Sequence, residues 1–137
     1  MHGGPHSVPV LARAFEEASA RGVGVVAVHT WHPVVGDVVA LAAGVDLAEY
    51  HALHGGRLAR QLSPWRTRYR DVPVELVVAR GSASAALLDR AEDAALVVVG
   101  SRGHNSLTGL LLGSTSHALL HHAPCPVMVV PTQPQNT

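Results

Sequence analysis

Three glycines and a serine carry the strongest chemical signal in this chain. The apolar run at 95–99 stops at Gly100, Gly103 follows after two residues, and nine residues later come Gly113 and Ser114, where the sequence turns helical. Glycine lets a backbone come close to a ligand and adopt positive φ. A helix start offers unpaired N–H groups and a positive partial charge. Ser114 and Thr115 add hydroxyls at that start. Together these would cradle an anion such as a phosphate. The macrodipole alone contributes roughly 0.3–2 kcal/mol per charge, so firm binding needs several amides as well. Two other phosphate fingerprints are excluded. The glycine spacing is not G-x-G-x-x-G, and a chain without lysine has no Gly-Lys-Ser/Thr loop. On chemistry alone, a phosphate cradle and a ligand-free strand-to-helix connection both remain open.

Other reactive side chains form weaker constellations. His117 and His121 are four apart on a predicted helix, with His122 and His104 nearby, but no carboxylate or cysteine completes a zinc set, so they read as surface histidines. Cys125 sits between two prolines without a cationic neighbour in sequence, which suits a buried, inert thiol. His51 and His54 receive no role, and Trp31 and Trp65 read as packing residues.

The elements that must position the glycine loop follow from periodicity. Residues 7–22 read as a helix with Ser7 as cap, Pro9 in the first turn, a stripe of Val8, Leu11, Phe15 and Ala18, and Gly22 as terminator. Valine-rich runs at 23–31, 72–80, 95–100 and 126–131 read as strands. Residues 32–45 read as an irregular loop, and 46–70 as a helical region interrupted by Gly55-Gly56 and Pro64. Helices are expected at 82–93, capped by Ser82 or Ser84, and at 114–122, stopped by Pro124. Continuous apolar strands alternating with helices imply an α/β fold: an open parallel sheet with helices on both faces.

Composition sets the outer bounds. The 137 residues suffice for one domain with a real core, and at 47% apolar and 15% charged the chain is not a disordered one. Formal net charge is zero and aromatics are few, a poor electrostatic match to nucleic acid. No apolar run approaches the roughly 20 residues that span a bilayer, and the opening "MHGGPHSVPV" is not a signal peptide. The single cysteine suits a reducing cytoplasm.

With these residues in place, the chain resembles the universal stress protein family, whose nucleotide-binding members share G-x2-G-x9-G-(S/T). Gly100, Ser101, Arg102, Gly103 and then Gly113-Ser114 meet that spacing, and "LVVVGSRG", "GLLLGS" and "HHAPCPVMVV" are similar to family text. The resemblance runs from about Gly3 to Pro131, leaving 132–137 as a loose tail. It implies a Rossmann-like single domain related to the adenine nucleotide alpha hydrolases. It also implies a cytoplasmic homodimer that binds ATP, ADP or AMP, with magnesium as the accompanying ion, in a stress-response role without an assigned catalytic base. By the same resemblance, phosphates would lie against Gly103, Gly113, Ser114 and the Thr115 amide. Ribose and adenine would approach Gly100 and the Thr30 backbone, with Arg102 beside the site. Val127, Val129 and Val130 of the last strand would pair across a two-fold axis.

One departure stands out. Family members open with an apolar strand in mid-sheet leading to an Asp-Gly turn. Here Gly3-Gly4 keep the turn, His2 takes the aspartate position, and only Met1 precedes it. The expectation is therefore a fold without its first strand, with perturbed or borrowed pairing at the 23–31 and 95–100 edges and weakened ATP binding. A dimerising interaction module without nucleotide is the alternative.

Overall fold

The computed structural model describes residues 7–31, 47–101 and 113–131. In chain order these form α1 (Ser7–Arg21), β1 (Val25–Trp31), α2 (Leu47–Arg68), β2 (Val74–Arg80), α3 (Ala83–Ala91), β3 (Val97–Gly100), α4 (Ser114–His122) and β4 (Val127–Val130). The alternation expected from periodicity is present, with each boundary within a few residues.

Helix α1 ends where glycine permits it to. Gly22 has φ +68°, its N–H donates to the Ser19 carbonyl, and the Val23 N–H donates to the Ala18 carbonyl. This doubly bonded C-terminal cap caters for the last carbonyls of the helix. Leu11, Phe15 and Ala18 are buried as the stripe requires, but Val8 is 53% exposed and Val10 is the buried residue of the first turns. Gly24 then brings the chain against Pro73: a Cβ there would lie 2.9 Å from the Pro73 carbonyl oxygen, whose acceptor the Val25 N–H uses.

Helix α2 is unbroken across Gly55, Gly56 and Pro64, contrary to the interruption expected from those residues. The reason is where each one lies. A Cβ on Gly55 would sit 3.7 Å from a Val78 methyl, so the glycine falls where the helix approaches β2. Pro64 is on the exposed side, where water can serve the carbonyl that loses its helical donor. Leu58, Leu62, Trp65 and Tyr69 recur at helical spacing and supply the missing cohesion. Phe15 of α1 stacks on Trp65 and on Tyr69, with centroids 6.0 and 5.6 Å apart. Phe15, Leu58 and Leu62 are all but fully buried, each contributing about 1.5–3 kcal/mol of transfer free energy.

The strands pair in parallel as two separate ladders among the described residues: β1 with β2 over seven positions, and β3 with β4 over four. The core divides the same way. Leu11, Phe15, Ala18, Ala27, Leu58, Leu62 and Val72 form one cluster with β1 and β2, while Ala91, Val97, Val99 and Leu119 form another with β3 and β4. Helices hold the two halves together: α1 touches β1, β3 and β4, and α3 touches β1 and α4. Among the described residues β1 and β3 do not pair with each other, and residues 1–6, on which the expectation of a missing first strand falls, lie outside the described residues.

Candidate functional site

The loop that holds the glycine pattern is pinned at both ends. The Ser101 N–H donates to the Val130 carbonyl, extending the β3–β4 ladder by one bond, and the Gly113 N–H donates to the Ser101 carbonyl at 2.6 Å. Ser116 locks the joint: it is 1% exposed, and its hydroxyl lies 3.1 Å from the Gly113 carbonyl and 3.5 Å from that of Ser101. The start of α4 is therefore fixed against the carboxyl end of β3, which is where open parallel sheets bind ligands.

That helix start suits an anion. Gly113 is the N-cap, with extended backbone and no side-chain cap, and the first turn has no acidic residue. Its N–H is committed to Ser101, so the amides that face outward from the cap begin at Ser114 and Thr115. Ser114 is exposed and Thr115 half-buried. Ser116 was not singled out in the sequence; its position on the buried side of the first turn, two residues beyond Ser114, is the signal that would have found it.

Thr30 and Gly100 occupy the carboxyl ends of β1 and β3. Val25 donates to Pro73 and Trp31 accepts from Gly81, so alternate residues Val25 to Trp31 face β2, and the Thr30 N–H and carbonyl point away from it. Likewise Val97 donates to Pro126 and Ser101 to Val130, which turns the Gly100 backbone away from β4. Thr30, Gly100, Gly113, Ser114 and Thr115 thus lie at strand ends or at the helix start. Arg102 and Gly103 lie outside the described residues, as does His104.

An aromatic cluster braces the end of β1. Trp31 is 7% exposed and stacks on His54 with centroids 5.3 Å apart and planes within 7°, and on Tyr50 at 6.2 Å. The Trp31 indole N–H donates to His51 Nδ1 at 3.4 Å, and His29 Nε2 meets His54 Nδ1 at 3.1 Å. Trp31 packs, as its type suggested. His51 and His54, given no role from sequence, are the residues that seat α2 on this strand end.

The His117 and His121 rings lie 4.5 Å apart, tilted by 53°, on the exposed side of α4, and among the described residues no cluster of three or more His, Cys, Asp or Glu has metal-binding geometry. Cys125 is a free thiol, partly rather than fully buried, packed against the second cluster. A groove of about 420 Å³ lined by Ala59, Ser63, Arg66, Thr67 and Arg70 opens on α2. Arg66 there bonds the Val74 carbonyl, at the amino end of β2 and so at the opposite end of the strands from the glycine loop.

A parallel α/β architecture with an anion-capable helix start at its strand ends defines a class, and comparison with known proteins defines the family. The model described as "Universal stress protein family" matches residues 1–131, and the chain belongs to that family. Universal stress protein Rv2005c of Mycobacterium tuberculosis is 46% identical over 127 residues, which cover 93% of this chain and 42% of that protein. Universal stress protein Rv2623 of the same organism is 38% identical over 127 residues, again 93% and 42%. The chain thus spans less than half the length of these relatives. Among solved structures, a universal stress protein UspA from Lactobacillus plantarum superposes with TM-score 0.75 at 20% identity, covering 95% of this chain and 92% of that one. A universal stress protein in complex with cAMP superposes with TM-score 0.66 at 20% identity, covering 97% and 93%.

Proposed function

We propose that this chain is an adenine-nucleotide-binding module of the universal stress protein family that acts by binding and dimerising rather than by catalysis. The observation that carries the reading is the fixed start of α4. The Gly113–Ser101 bond and the Ser116 hydroxyl hold uncapped amides at the carboxyl end of β3. The 100–114 spacing and the cAMP complex of a structural neighbour support an adenine nucleotide as the ligand. ATP, ADP or AMP would place phosphates at Gly103, Gly113, Ser114 and Thr115 with Arg102 alongside, magnesium accompanying ATP, and base and ribose near Thr30 and Gly100. In this reading residues 1–131 form one domain, 132–137 are a tail, and the protein works in the cytoplasm.

Titration calorimetry with ATP tests this. The expected affinity is weaker than ~1 μM and tighter than ~1 mM. A bulky Gly113→Leu side chain beside the phosphates is expected to lower it at least ~10-fold, since it crowds the amides that supply the binding. Absence of heat at millimolar nucleotide would leave the second reading, a dimerising interaction module without nucleotide. That reading is favoured by one observation: the walls that Thr30 and Gly100 provide belong to two ladders that, among the described residues, do not pair with each other.

A further inference from the structure

Two histidines on α4 have the arrangement of a chelate. His117 and His121 are four residues apart, so they share one face of the helix, and both are exposed. The helix beneath them is anchored. Ser116 and Leu119 are buried on its inner side, the His117 N–H donates to the Gly113 carbonyl, and the Ala123 N–H donates to the Leu119 carbonyl. The spacing of the pair is therefore set by a packed helix and not by a loop.

The pair is specific in two respects. Its ring centres are 4.5 Å apart and its ring planes are tilted by 53°. An ion held by an imidazole nitrogen lies close to the plane of that ring. Parallel stacked planes share no such position, whereas planes tilted this far meet along a line on which one ion can sit. The separation then selects a coordination angle. Nitrogens ~2.0–2.1 Å from a shared ion place the ring centres about 4.5 Å apart at a right angle and about 5.2 Å apart at the tetrahedral angle. The observed separation fits the right angle, which belongs to tetragonal copper(II) and nickel(II) rather than to tetrahedral zinc. The His122 ring centre is 6.4 Å from that of His121, too far to share the ion. The local charge is also favourable: α4 carries no Arg or Lys, and His121 lies in its last turn, where the helix macrodipole is negative.

We propose that His117 and His121 form an open chelate site for one divalent late transition ion, copper(II) foremost. Imidazole suits copper, nickel and zinc, and copper(II) binds most tightly at a given site. Magnesium and calcium prefer oxygen ligands and are not held. The two histidines occupy adjacent coordination positions and water the others. No third protein ligand is required, in keeping with the lack of a three-residue cluster among the described residues. A donor from a second molecule can displace that water. The site is separate from the proposed phosphate position, which is at the opposite end of α4.

Copper(II) is titrated into the whole 137-residue protein without nucleotide, and amide signals are followed by NMR. Paramagnetic broadening is expected at Ala118 and Leu120, which lie between the two ligands. His117→Ala and His121→Ala are each expected to raise the copper needed for that broadening at least ~10-fold, since either change leaves a single ligand. Both side chains are exposed, so shortening them leaves the core intact. His122→Ala is expected to leave the broadening as it was, and magnesium to cause no shift on α4. The proposal is overturned by the absence of broadening on α4 in molar excess of copper. It is also overturned by broadening that survives undiminished in either single variant, or by a loss in His122→Ala equal to that in His117→Ala.

Discussion

Ser116 shows how much one hydroxyl can organise. It lies under the first turn of α4, nearly inaccessible, and reaches back to the two carbonyls that define the loop's ends. Replacing it with alanine removes the donor and leaves a small void. Ser116→Ala is expected to cost about 0.5–1.5 kcal/mol in urea unfolding, the usual net worth of such a bond. An unchanged midpoint would place the hydroxyl outside the staple. At this scale the candidate site was only partly legible in the sequence. The glycine and serine spacing named Gly100, Gly113 and Ser114, because glycine and hydroxyl residues announce close approach by type. Ser116 and the His51–His54 seat for Trp31 were not legible. A buried serine looks like an exposed one in text, and the histidine contacts join residues 20 and 25 apart.

Helix α2 is the element on which local rules and packing disagree. Propensity alone ends or kinks it at Gly55-Gly56 and at Pro64. Burial of Leu58 and Leu62, with Trp65 and Tyr69 stacked on Phe15, outweighs that local cost. Gly55 is placed where the helix meets β2, but Pro64 serves no contact of this kind, being exposed. Pro64→Ala restores a helical N–H donor and is expected to stabilise the chain by about 1–3 kcal/mol, read as a raised melting temperature by circular dichroism. A lowered melting temperature would show that the proline's rigidity matters more than the lost bond. The strands were easier to read than this helix: short valine runs bounded by Gly and Pro leave little choice of period, whereas the continuity of α2 depends on partners distant in sequence. Val8 failed for a related reason, since a stripe says which face is apolar but not how far along the helix its partner extends.

For the whole molecule, β4 presents its outer edge. Pro126 and Val130 accept from β3-side donors, so Val127 and Val129 direct their backbone groups outward, while their side chains pack into the second cluster. A two-fold contact through this edge would therefore use main-chain pairing, with the valine side chains contributing mainly to each chain's own core. Val129→Pro removes one outward donor without touching the β3 ladder. If β4 is the dimer strand, sedimentation equilibrium is expected to show the dimer weakened at least ~10-fold, because a buried, unmatched carbonyl is left on the partner. A dimer of unchanged affinity would move the contact elsewhere.

The two hydrophobic clusters also bear on how the fold comes apart. A cooperative transition needs each region's stability to depend on the others, and that dependence runs mainly through a shared core. Among the described residues α1 and α3 are the elements that reach across, by helix contacts rather than by a common ladder. The β1–β2 half, with its fifteen-residue α1 and twenty-two-residue α2, carries much the larger apolar store. The β3–β4 half, which bears the glycine loop, rests on four-residue strands and nine-residue helices. The smaller half is therefore expected to open first on heating, read as earlier loss of amide protection at Val97 and Val99 than at Ala27, and simultaneous loss would show a single cooperative unit; the part of the protein that would meet a ligand would then also be the part whose folding a ligand could report.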